Sequence, residues 1–180
     1  MRGFTLIELV ASTATLAIIL TAGVPALTSL LDSHYAKTSL SSLRSTLMSA
    51  RNIALIRTQE TIVCPMENNA CVNNWNQPLV VFSDINDNLK LEPDETIHLI
   101  VSNEINRGYW QKKRSSMHYI KFSPQGHAFS SATTFLYCPD SGQATHAKQL
   151  VISFQGRIRT NSYLSNRGAP YAALAPLSCL

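Results

Sequence analysis

Residues 4–31 read FTLIELVASTATLAIILTAGVPALTSLL, an apolar run with one acidic residue, Glu8, and no basic one. No other stretch limits so strongly what the chain can become. As a helix rising about 1.5 Å per residue, the run is long enough to cross a hydrocarbon layer about 30 Å thick. A secretory signal would set several basic residues before a shorter apolar core, with a small-residue cleavage site after it. Here only Met1, Arg2 and Gly3 come first, and no A-x-A site follows at a suitable distance. A carboxylate inside a membrane costs on the order of a few kcal/mol and marks a function by default. Glu8 therefore needs a partner that this chain is not expected to supply.

The pattern continues past Leu31 as a stripe. Leu40, Leu43, Leu47, Ala50 and Ala54 recur in steps of three and four, with Lys37, Arg44 and Arg51 among them. That is the period of a helix packed along one face. One helix is expected from Phe4 to about Thr58, with residues 4–31 crossing the membrane and residues 32–59 lying on a head. Beyond Glu60 the period falls to two. The runs ETIVC, PLVVFSD, ETIHLIVS, MHYIKFS, TTFLYCP and KQLVISF are separated by ENNACVNN, DINDN, SPQG and PDSGQ. Short β-branched or aromatic runs between turn-rich segments read as strands. Residues 60–180 should thus form one mostly antiparallel head, without internal boundary or repeat, large enough for a single core. The fold class is α+β.

The stretch GFTLIELV resembles the processing site of type IV pilins and type II secretion pseudopilins: a short basic leader ending in Gly, then Phe, then Glu four positions later. The resemblance implies that residues 1–3 are a leader. It implies that a prepilin peptidase cuts between Gly3 and Phe4 and methylates the new Phe4 amine. Glu8 would then neutralise the Phe4 amine of a neighbouring subunit during assembly. Pro25 falls where such proteins often carry a helix-kinking proline. The order of helix and then β-rich head also resembles the GspH/FimT branch of this superfamily. A member would have the type IV pilin fold and sit in the inner membrane by a single pass with its head in the periplasm. It would later join other pilin subunits in an extracellular pilus.

All four cysteines, Cys64, Cys71, Cys138 and Cys179, lie in the head. None forms a C-x-x-C pair, and the five histidines show no metal-ligand spacing around them, so neither metal nor cofactor is expected. A periplasmic head would keep disulfides. Three pairings are possible; Cys64–Cys71, stapling an Asn-rich turn, with Cys138–Cys179, tying down the tail, is the favoured one. The stretch DINDNLKLEPDE matches a calcium-loop pattern through Asp84, Asn86, Asn88 and Glu95, but Leu89 stands where the sharp turn normally requires Gly, and no helices flank it.

Charge is sorted along the chain. Residues 1–59 carry five bases against two acids (+3), residues 60–104 one against eight (−7), and residues 105–180 nine against one (+8). Such asymmetry points to a polyanion or an acidic partner, or else to the acidic middle pairing with the basic end. Within the basic third stands Gly156-Arg157-Ile158-Arg159. Residues two apart on a strand share a face and lie about 6.6 Å apart, so the two guanidinium groups could reach neighbouring phosphates of one strand. Gly156 would let the backbone bend or approach a ligand closely. Lys148 and Arg167 could widen the patch. The four residues resemble the G-R-x-R motif of the FimT group, minor pilins linked to DNA uptake in natural transformation. The resemblance implies sequence-independent DNA binding by this motif and the tail after it. The cluster Lys112-Lys113-Arg114, following Tyr109 and Trp110, is a rival basic site.

No enzyme motif is present: no G-x-S-x-G, no phosphate-cradling glycine loop and no H-E-x-x-H. Three non-enzymatic functions remain. These are a DNA-binding minor pilin, a minor pilin acting only in pilus assembly or priming, and a GspH-like type II secretion pseudopilin.

Overall fold

The computed structural model describes residues 5–103, 105, 107–113, 117–128, 132–162 and 179. Thr5 opens the single long helix, α1 (Leu6–Arg57), through a capping box. Its hydroxyl accepts from the Glu8 amide (3.4 Å), and the Glu8 carboxylate accepts from the Thr5 amide (2.9 Å) and hydroxyl (3.0 Å). The chain thus does supply Glu8 with hydrogen-bond donors, which the sequence reading did not foresee. They are local donors and carry no countercharge.

At 52 residues, α1 is about 78 Å long at the usual rise. Its first half exposes its apolar side chains, Leu6, Ile7, Ile18, Ile19 and Leu30 among them. Hydroxyls in this half turn back onto the helix: Ser12 and Thr13 donate to the Leu9 carbonyl, Thr15 to Ala11 and Thr21 to Ile18. These hydroxyl hydrogens are thereby satisfied by the helix backbone where lipid would surround them. Pro25 lies inside the helix and has no amide hydrogen to give the Thr21 carbonyl. Thr58 ends α1 in the left-handed region, at φ 52°.

The second half of α1 buries one stripe: Asp32, Ala36, Leu43, Thr46, Leu47, Ala50 and Ala54. The head that follows is built of the strands β1 (Thr61–Glu67), β2 (Ala70–Cys71), β3 (Leu79–Phe82), β4 (Ile97–Val101), β5 (Gly108–Lys113), β6 (Ile120–Phe122), β7 (Thr133–Pro139), β8 (Lys148–Ile152) and β9 (Ile158–Ser162), of which β1, β6, β7, β8 and β9 lie against the helix. They form two sheets, one ordered β2-β1-β3-β4 with β6 also paired to β1, the other β5-β7-β8-β9. Every named pairing is antiparallel.

The main core lies between α1 and the sheets and joins Leu43 and Leu47 to Val63, Val81, Phe122, Phe135 and Leu150. Trp75, Trp110, Phe135 and Tyr137 meet edge to face there, with ring centroids 4.6–6.2 Å apart. Both sheets also bury residues on their outer faces. Ile62, Cys64 and Phe82 lie under Leu89 and Leu91, and Leu136, Cys138 and Ala147 pack with Tyr109 and Cys179. Disulfides join Cys64 to Cys71 and Cys138 to Cys179.

Stem and head are clasped at the middle of the helix. The buried Asp32 carboxylate accepts from Arg107 Nε at 2.9 Å, and Ser29 Oγ meets His146 Nε2 at 3.0 Å. Arg107 sits at φ 69° in the link before β5, and its carbonyl takes the Tyr137 hydroxyl at 3.2 Å.

Candidate functional site

The β8–β9 hairpin carries the two arginines. Ser153 starts a tight turn whose Gly156 amide returns to the Ser153 carbonyl at 2.8 Å, and the Ser153 amide donates to the Arg157 carbonyl at 3.0 Å. The Arg157 amide donates to Ser153 Oγ at 3.1 Å. Ile152 faces Ile158 across the hairpin, and Val151 faces Arg159. Ile158 packs against the main core, so its neighbours Arg157 and Arg159 take the opposite side, and both are exposed. Neither makes an ion pair among the described residues.

Gly156 has a different task from the one its sequence context suggested. It is buried, at φ +72°, and a Cβ there would collide with the Gly126 carbonyl oxygen and lie 3.0 Å from Arg51 Nε. The close approach that glycine permits is to the protein's own backbone, not to a ligand. Arg51, on α1, donates from Nε to that same Gly126 carbonyl at 2.9 Å. Two turns, Ser123–Gly126 and Ser153–Gly156, are thereby fastened over one guanidinium. The sequence reading missed this contribution of Arg51. Its one signal was position, since Arg51 flanks the buried stripe next to Ala50 instead of lying on the far side of the helix.

Lys148 does not join the arginine face. It pairs with Tyr137 and alternates in step with Leu150 and Ile152, all three in the helix-facing core. Lys148 therefore belongs to the opposite side of the sheet, since facing residues share a side. The register brings Lys113 to the arginine side instead, through the row Lys113–Thr134–Val151–Arg159. Three strand spacings, about 14 Å, separate its ends.

The rival cluster is dispersed by the same alternation. Trp110 is buried and presents no face to a base. Lys112 shares its side, over the Trp75 ring at 5.5 Å with its ammonium buried and without a hydrogen-bond partner. Burial pushes its pKa down to about 8. Arg114 and Arg167 lie outside the described residues, as do Gly3 and Phe4 with the expected cleavage and methylation.

The acidic middle is occupied with its own backbone. Asp84 accepts the amides of Asn88 (3.1 Å) and Leu89 (2.9 Å), and Glu95 those of Ile85 (2.9 Å) and Glu92 (3.2 Å). Leu89 takes the left-handed conformation, at φ 61°, that the calcium pattern reserves for glycine. Of the basic third, Lys121 pairs with Glu60 (2.6 Å) and Asp87 (2.9 Å). Burial works to lower its pKa, and the two carboxylates outweigh that and raise it. Internal neutralisation is thus real for Lys121 and does not extend to Arg157 or Arg159 among the described residues.

A long amphipathic stem laid on an antiparallel head is the type IV pilin fold, a class of structural subunits. The chain belongs to the GspH family: the family model for the type II transport protein GspH matches residues 39–156, well over half of the chain. Two crystal structures of the type IV minor pilin FimU from Pseudomonas aeruginosa share the fold. One aligns with a TM-score of 0.55 at 18% identity, over 69% of this chain and 87% of FimU. The other gives 0.52 at 18% identity, over 69% and 91%. No protein among curated sequences matches significantly.

Proposed function

We propose that this chain is a minor type IV pilin that binds DNA without sequence preference through Arg157 and Arg159 and promotes DNA uptake in natural transformation. The observation that carries the reading is the pair of exposed guanidinium groups on a hairpin fixed by a buried glycine turn. Such forks engage phosphate oxygens two at a time and keep their charge at any physiological pH. Phosphate contacts position a duplex without reading it. Lys113 lies on the same side and extends the patch; Arg167 is assigned to it from the sequence alone. Gly156 acts by holding the turn. Glu8, the prepilin peptidase site at Gly3 and Phe4, and the apolar half of α1 serve processing, membrane anchoring and assembly with other pilin subunits.

The family match favours a second reading, a pseudopilin of type II secretion whose head meets secretion partners. Electrophoretic retardation of a DNA duplex by the full chain in neutral detergent separates the two. The DNA-binding reading expects retardation at low salt. It also expects the Arg157→Gln/Arg159→Gln variant to lose it, by at least about tenfold, with its melting temperature nearly unchanged. Equal behaviour of wild type and variant would transfer the assignment to assembly or secretion.

A further inference from the structure

We propose that the DNA-binding surface continues from the tip of the β8–β9 hairpin along the flank of α1, where Arg51, Arg44 and Lys37 form a row of phosphate contacts for a duplex lying beside the stem. This rests on the DNA-binding reading and extends its site. Residues 33–59 carry Lys37, Arg44, Arg51 and Arg57 and no acidic residue. The first three stand seven residues apart. Seven residues fall about 20° short of two full helical turns, so each side chain lies nearly above the last. The row is about 21 Å long, in steps of about 10.5 Å. Lys37 and Arg44 are exposed, and neither makes an ion pair among the described residues.

A charged helix face that serves only solubility ordinarily mixes signs, with partners three or four positions away. Here Leu40, Ser41, Leu47 and Met48 occupy those positions after Lys37 and Arg44. The helix dipole does not account for the row either, since its effect fades within the last turn and Arg44 lies well before it. Arg51 ties the row to the hairpin. Its Nε donates to the Gly126 carbonyl at 2.9 Å, and a Cβ on Gly156 would stand 3.0 Å from that nitrogen. Arg51 is thus fixed against the residue next to Arg157, and a guanidinium bound through Nε keeps further donors on its two terminal nitrogens. With Arg157 and Arg159 on the outer side of β9, cations flank the tip on both sides. A duplex is stiff over about 150 base pairs and carries one charge per about 1.7 Å of its axis. A straight row on a helix meets such a rod at several points.

Salt titrations of duplex binding by fluorescence anisotropy, with the full chain in neutral detergent, test this. Lys37→Gln/Arg44→Gln should weaken binding at low salt by at least about threefold and make the log–log slope shallower by about 2. Its melting temperature should stay close to that of the wild type, because both side chains are exposed. Arg57→Gln/Lys90→Gln removes two exposed cations away from the row, with the same change in net charge, and should leave the slope unaltered. The inference is overturned if Lys37→Gln/Arg44→Gln keeps the wild-type slope, or if Arg57→Gln/Lys90→Gln shifts it as much, while Arg157→Gln/Arg159→Gln still loses binding; DNA binding by the hairpin then stands. Failure of the wild type to bind duplex at low salt removes both.

Discussion

Gly156 shows how a residue read as part of a ligand site can serve it from behind. With φ at +72° and Gly126 against its Cα, the position accepts no Cβ. A left-handed alanine alone costs about 1 kcal/mol, and the collision with the Gly126 backbone adds to it. Gly156→Ala should therefore lower the melting temperature of the full chain and weaken DNA binding together. In Arg157→Gln only the second should change. A thermal melt paired with a binding titration of each variant distinguishes support from contact. Lys112 gives the complementary lesson. A lysine in a basic cluster looks available, yet alternation along β5 turns it onto Trp75, where burial takes part of its charge-holding capacity away.

At the level of elements, much was legible. The helix announced itself by its stripe, because one face meets the head and the other does not. Most strands announced themselves by β-branched runs between turns. β5 did not, because GYWQKK lacks β-branched residues and carries two lysines, one of which faces inward. The side on which Lys148 lies was also hidden. β8 reads KQLVI, apolar at Leu150, Val151 and Ile152 alike, since the outer face of this sheet also buries part of its area, at Leu136 and Cys138, and continuous apolar runs erase the period-two signal. The cysteine pairs in the structure are the favoured ones of three arithmetical possibilities: Cys64–Cys71 was legible from its short spacing, whereas Cys138–Cys179 depends on the tertiary approach of Cys179 to β7.

The stem–head clasp belongs to this scale too. Hydrogen bonding from Ser141, with Arg107 beside it, holds the Asp32 carboxyl below the usual range against the effect of its burial. Its stabilisation is therefore complete above the unfolded value near 3.9 and is lost as pH falls through the lower folded value. Asp32→Asn should destabilise the full chain by about 1–3 kcal/mol at neutral pH. Melts at descending pH should show the wild type converging on the variant once Asp32 is protonated. A gap independent of pH would remove the ionised clasp from the account.

For the whole molecule, the structure sets two chemistries at opposite ends of one chain. The apolar first half of α1 suits lipid or a filament core, and the β8–β9 hairpin at the edge of the second sheet displays cationic groups. A pilin subunit built this way would bring weak, additive phosphate contacts to the outside of a filament, where many copies act together. On the proposed function, the hairpin binds DNA by releasing counterions from phosphates. The salt dependence of duplex affinity for the full chain in neutral detergent measures this directly. Two to four phosphate contacts predict a log–log slope of about −2 to −4, reduced by about 2 in Arg157→Gln/Arg159→Gln. A wild-type chain that does not bind duplex even in dilute buffer, or whose slope is the same in the variant, would contradict it.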